Sequence, residues 1–202
     1  HGKSERLAHS RGVDYMHREA LDVLPQLLDA LRIRNPILVG HSDGASIALI
    51  HAGAGAGPVL GLVLLAPHAF VEDITVKSIA EAKVAFGNTD LPAKLARYHD
   101  DAESMFRGWS DIWLHPDFRR WNIEEFLTGV TCPVLLIQGR DDQYGTAAQV
   151  AAITNQVNGP VETLMLADCA HSPHADQKRA TVEKLAHFVN ELRGKKAAAS
   201  DR

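Results

Sequence analysis

Four short apolar runs, at 37–39, 60–66, 133–138 and 161–167, are separated for the most part by stretches with helical periodicity. Such runs lack the polar alternation of a half-exposed strand, so they suit strands covered on both faces, as in a parallel sheet with helical crossovers. Helical patterns occupy 14–34, 42–54, 145–157 and 177–193. In the first, Met16, Ala20, Val23, Leu24, Leu27, Leu28 and Leu31 recur at three- and four-residue spacings, an apolar stripe that Pro25 is expected to kink. The order strand, helix, strand, insertion, strand, helix, strand, helix predicts an open, mostly parallel α/β sheet with helices on both faces.

The insertion, 67–129, has no strand-like run and holds Trp109, Trp113 and Trp121 with Phe70, Phe86, Phe106 and Phe118. It reads as a helical cap over the carboxyl edge of the sheet, with core segments 1–66 and 130–202 on either side. Breaks between its helices are expected at 88–90, at Arg107-Gly108 and at His115-Pro116. The tail 194–202 is small and polar and is expected to be disordered.

Composition excludes several classes. A chain of 202 residues with 46% hydrophobic content is long enough for a continuous core. Lys plus Arg number 21 against 25 for Asp plus Glu, a net charge of −4, so no basic field exists to collect nucleic acid. Pro, Gly, His or a charge interrupts every apolar stretch before it could cross a bilayer, and no membrane partner is expected. Cys132 and Cys169 are too few for a disulfide framework and read as reduced thiols in a cytoplasmic protein.

Chemistry concentrates where three of the runs end. After the first comes Gly40-His41-Ser42-Asp43-Gly44, a G-x-S-x-G opening into a helix. There, glycines permit a strained turn that exposes a serine oxygen, and the backbone N–H of Asp43 would face a developing oxyanion. A plain helix N-cap is the competing role for Ser42. A serine hydroxyl needs a histidine base, and the base needs a carboxylate. Gly139-Arg140-Asp141-Asp142 follows the third run, and Asp168-Cys169-Ala170-His171 follows the fourth. The spacing from Gly139 favours Asp142 over Asp141, and His171 is favoured over His174, which would line the site.

A metal cluster of Asp168, His171, His174 and Asp176 matches no zinc spacing. His41 reads as packing in the turn, and His68 as either substrate-facing or packed. Phe70, Trp109 and Trp113 are pocket candidates, although tryptophans at helical spacing are more often core.

Together, VGHSDG, APH, LLIQGRDD and HSPH resemble bacterial members of the α/β-hydrolase superfamily over nearly the whole chain. The resemblance implies a Ser42 nucleophile, an Asp142 acid, a His171 base, a helical lid at 67–129, and cleavage of a small-molecule ester or related bond without a cofactor. It also aligns His1-Gly2-Lys3-Ser4 with a loop following the family's fourth strand. On that register the four strands and the second oxyanion donor lie upstream, and a chain starting here turns over weakly or not at all. The first strand present becomes an exposed edge, for which self-association or a homodimer is expected. Ala170 replaces a glycine common before the catalytic histidine. The leading expectation is a serine hydrolase of a small ester, lactone or related carbonyl compound. The alternatives are a carbon-carbon bond hydrolase of a ring-cleavage product and a non-catalytic small-ligand-binding protein.

Overall fold

All four apolar runs become strands: β1 (Ile37–His41), β2 (Gly61–Leu65), β3 (Val134–Gly139) and β4 (Val161–Leu166). The computed structural model describes residue 2 and residues 11–200, with side chains as far as residue 194. The strands form one sheet in the order β1-β2-β3-β4 with every pair parallel. Val39 stands opposite Val63, Val63 opposite Leu135, and Leu135 opposite Glu162. Only the two central strands meet the expectation of burial on both faces; β2 and β3 are buried at every residue. As edges of the described sheet, β1 and β4 are partly exposed.

The helices, in chain order, are α1 (Tyr15–Arg18), a π turn (Glu19–Val23), α2 (Leu24–Ala30), α3 (Asp43–Gly53), α4 (Asp73–Asn88), α5 (Leu91–Leu95), α6 (Ala102–Trp113), a 3-10 turn (Pro116–Arg120), α7 (Glu124–Leu127), α8 (Ala147–Gln156), α9 (Pro173–Asp176) and α10 (Lys178–Ser200). They divide with the sheet into two compact units. One, the core, comprises 16–70 and 122–202 and contains the sheet; the other comprises 1–15 and 71–121.

Within the core unit, Val63, Leu65, Leu135 and Ile137 on one sheet face pack with Phe188 and Leu192 of α10, and with Leu166 and Cys169. Leu62, Leu64, Val134 and Leu136 alternate with them and are fully buried on the other face. Pro25 produces a π turn in the first helical segment. In that register the carbonyl of Ala20 would look to the N–H of residue 25, which proline lacks, and the Nδ1–H of His51 donates to it instead at 2.9 Å. The expected apolar stripe is only partly inward: Met16 and Ala20 are fully buried, whereas Val23, Leu27 and Leu31 are half exposed. The tail also differs from expectation, because α10 continues to Ser200. Its Lys-Lys-Ala-Ala-Ala sequence favours helix more than its lack of an apolar face disfavours it.

The second unit is helical, as its composition suggested. Phe86 and Phe106 stack with ring centroids 4.1 Å apart, and Trp113, Phe118 and Trp121 form a cluster joined by Tyr15. The chain breaks at 88–90 and at His115-Pro116 as expected, but Arg107-Gly108 lies inside α6. An Arg107–Glu103 ion pair one turn apart and an Asp101 cap on the N–H of Ser104 support the helix across that glycine.

Candidate active site

At the end of β1 the backbone turns sharply into α3, and Ser42 holds the turn at φ 53°, ψ −122°. A β-carbon at Gly40 would collide with the carbonyl of Gly44, so the turn requires glycine there. The N–H of Ser42 donates to Leu65 O of β2, while its carbonyl accepts from Ala45 and Ser46. These bonds hold a non-glycine residue at positive φ, a conformation that costs about 1–3 kcal/mol and concentrates at functional sites. Ser42 makes no side-chain cap on α3, which removes the N-cap role. Its hydroxyl lies 2.9 Å from His171 Nε2.

His171 reaches Ser42 from the loop after β4, where Asp168 also has positive φ, at 49°. Gly139 makes room for this loop, because a β-carbon there would strike the carbonyls of Cys169 and Ala170. The N–H of Ala170 donates to Asp176 Oδ2 at 3.0 Å, tying the loop to α9. On its far side, His171 Nδ1 is 2.9 Å from each carboxylate oxygen of Asp142. Asp142 is buried and Asp141 is exposed, so the register set by Gly139 selects Asp142. A hydrogen-bonded chain therefore runs Ser42–His171–Asp142 across the ends of β1, β4 and β3.

The Asp142 carboxylate also accepts from the N–H of Tyr144 at 2.8 Å and from Gln138 Nε2 at 2.6 Å. Burial pushes its proton affinity up. The hydrogen bond and charge of His171 and the Tyr144 N–H outweigh this and hold the carboxyl below its ordinary range.

Two more histidines flank His171, and a third, the exposed His174, packs on one of them. His68 is 5.7 Å from His171 between ring centroids, and His41 lies 5.0 Å from His171 and 4.9 Å from His174. Burial, reinforced by the nearby His171, brings the His68 imidazole down to about 3, so it is neutral at physiological pH. Ser46 Oγ–H donates to the carbonyl of His68 at 2.7 Å. His41 does more than pack: its Nε2–H donates to the backbone carbonyl of His171 at 2.7 Å, linking the residue before the serine to the histidine loop. Burial lowers the proton affinity of His41.

Of the other candidates, Asp43 opens α3, in the turn where helices present N–H groups and positive dipole. Phe70 belongs to the core unit; its backbone and that of Ala69 bond to the side chain of the buried Gln149. Trp109 and Trp113 belong to the other unit, where Trp113 is buried against Phe118 and Trp121, and Trp109 packs edge-on against Phe106. No group of three metal-ligating side chains occurs among the described residues. Residues 1 and 3–4, and with them the register assigned to the opening four residues, lie outside the described residues.

Sequence reasoning missed Gln138, Tyr144 and the tie from His41. The signal for Gln138 was present: an amide at the end of an otherwise apolar buried run, next to the glycine that begins the aspartate loop.

A parallel sheet whose first strand turns through a strained serine, with histidine and aspartate on neighbouring strand ends, defines an α/β-hydrolase architecture. The chain belongs to the alpha/beta hydrolase family, whose model matches residues 1–184. Among solved structures it is similar to the enol-lactonase from Burkholderia xenovorans LB400, with TM-score 0.71 and 21% identity over 94% of this chain and 77% of that one. It is also similar to a thermophilic esterase from Thermogutta terrifontis, with TM-score 0.67 and 17% identity over 95% and 76% of the two chains. A third similar structure is Est816, described as an N-acyl homoserine lactone degrading enzyme, with TM-score 0.62 and 22% identity over 93% and 79%. At these identities the likeness concerns the fold. No curated protein matches the chain, and no described helix is long and apolar enough to cross a membrane.

Proposed function

We propose that this alpha/beta hydrolase cleaves small carboxylic esters or lactones by acyl transfer to Ser42. The observation that carries the reading is the chain of contacts from Ser42 Oγ to His171 Nε2 and from His171 Nδ1 to Asp142, each at 2.9 Å. In the proposed first step, Ser42 Oγ bonds to the substrate carbonyl carbon as its proton passes to His171 Nε2. The carbonyl electron pair moves to oxygen, and the N–H of Asp43 and the dipole of α3 stabilise the resulting oxyanion. His171 returns the proton to the leaving alkoxide as the carbon-oxygen bond breaks. Water then attacks the acyl-serine with His171 taking its proton, and the acid leaves as Ser42 recovers its hydrogen. Asp142 stays ionised throughout, holding Nδ1–H in place and stabilising the transient imidazolium.

The test is hydrolysis of a panel of short-chain aryl esters and five- to seven-membered lactones by the chain and by Ser42→Ala. The expected result is turnover of at least one compound that Ser42→Ala reduces to background. Turnover that Ser42→Ala leaves unchanged would contradict the reading, and a chain that binds a compound but neither turns it over nor reacts with a fluorophosphonate at Ser42 would favour a ligand-binding role for the fold.

A further inference from the structure

We propose that Gln138 is a positioning residue whose side-chain amide fixes the Asp142 carboxylate against His171. Gln138 occupies β3, is 1% exposed, and its Nε2 donates to Asp142 Oδ2 at 2.6 Å and toward Gly145 O at 3.3 Å. Its Oε1 is buried with no hydrogen-bond partner. Leaving an amide oxygen unpaired in a strand core is unfavourable, and leucine or methionine would fill the same space without that cost. The arrangement is favourable only if the N–H side is needed. Turning the amide over would place its oxygen against a carboxylate, so the chemistry allows one orientation.

The two donors divide the carboxylate between them. The N–H of Tyr144 takes Oδ1 and Gln138 takes Oδ2, and together they set its plane so that both oxygens lie 2.9 Å from His171 Nδ1. Without Gln138, Oδ2 keeps His171 alone, and the carboxyl gains freedom to rotate. Other titratable groups act on this carboxylate: His171 and His68 directly, with His41, the Tyr144 phenol and the Cys169 thiol coupled to its charge. Asp141 and Asp176 also act on Cys169. None of these replaces a neutral donor on Oδ2.

The kinetic part of the test rests on the proposed hydrolase reading, and the spectroscopic part does not. The low-field proton resonance of the His171–Asp142 hydrogen bond is recorded for the wild type, Gln138→Leu, Gln138→Met and Gln138→Glu. The expected result is a displaced or broadened resonance in the leucine and methionine variants. It keeps its position in the glutamate variant at acid pH, where a protonated carboxyl donates as the amide does. Labelling by a fluorophosphonate is followed against pH in parallel. Loss of the donor is expected to slow labelling about tenfold, the size of one charge-assisted hydrogen bond, and to move the acid limb to higher pH because Asp142 takes up its proton more readily. The glutamate variant should label on the acid side and lose activity on the alkaline side, where two carboxylates would share the pocket. A unchanged resonance in a folded leucine or methionine variant overturns the proposal, as does a slowing that is equal at every pH. If leucine and methionine both prevent folding, absence of the opposite pH response in the glutamate variant overturns it. A wild type that never labels but whose resonance moves in the variants would sink the hydrolase reading and uphold the positioning role.

Discussion

The middle of the sheet and its carboxyl end are built on opposite principles. In the middle, Leu62, Val63, Leu64, Leu135 and Leu136 are fully buried on two regular parallel strands. Within a few residues, the strand ends hold Ser42, Ala66 and Asp168 at positive φ, a buried Asp142, a buried His68 and an amide with an unpaired oxygen. Burial in the middle supplies stability, and the ends draw on it to hold strained backbone and desolvated polar groups. Substitutions should therefore separate: those in the middle change folding, and those at the ends change chemistry.

The largest expected effect lies at the ends. His171→Ala should lower the fluorophosphonate labelling rate on the order of 10⁴-fold or more, because the serine loses its base. Asp142→Asn should lower it by roughly 10²- to 10⁴-fold through loss of the carboxylate that orients and supports the imidazole. Both variants should remain folded by circular dichroism, and unfolding in either case would break the separation. In the middle, Leu136→Ala should lower the unfolding free energy by about 2–5 kcal/mol, measured by denaturant unfolding, while the folded fraction labels at the wild-type rate.

His68 sharpens the contrast through pH. Its imidazole is held neutral in the folded state, with a value brought down to about 3, and binds protons more readily when unfolded. Its contribution to stability is complete above about 6.5 and is lost as pH falls from there toward 3, with a slope of at most about 1.4 kcal/mol per pH unit. Replacing it, as in His68→Gln, should flatten that part of the pH–stability curve; an unchanged slope would mean that another group titrates there. The smallest effect is expected at the β1 edge, where Val39 is 54% exposed and, among the described residues, β1 pairs only with β2. If this edge supports the expected self-association, Val39→Lys should lower the sedimentation coefficient at high concentration without altering labelling.

The regular part of the fold was legible because its signal is local. Four unalternating runs specify four buried or edge strands, and the sequence order specifies parallel crossovers. The placement of Asp142 and His171 was legible because each follows the end of an apolar run by a few residues, Asp142 three after Gly139 and His171 five after Leu166. What escaped was set by tertiary context. Pro25 acted through a π turn whose freed Ala20 carbonyl is met by His51, thirty-one residues from Ala20, and the stripe of α2 was not buried along its length. The role of His41 depended on the loop after β4, 130 residues away, which spacing does not report, whereas Gln138 lies only four residues from Asp142 and its signal was local. Gly108 misled because a glycine inside a helix costs only about 1 kcal/mol, which flanking interactions can offset.

If the strand ends activate a serine, Ser42 alone should react with an electrophilic phosphonate. The chain is exposed to a fluorophosphonate, followed by intact mass and peptide mapping, with Ser42→Ala and His171→Ala alongside. One adduct per chain is expected, located on Ser42, absent from Ser42→Ala and nearly absent from His171→Ala. An adduct on another residue, or equal labelling of Ser42 in the presence and absence of His171, would contradict that activation.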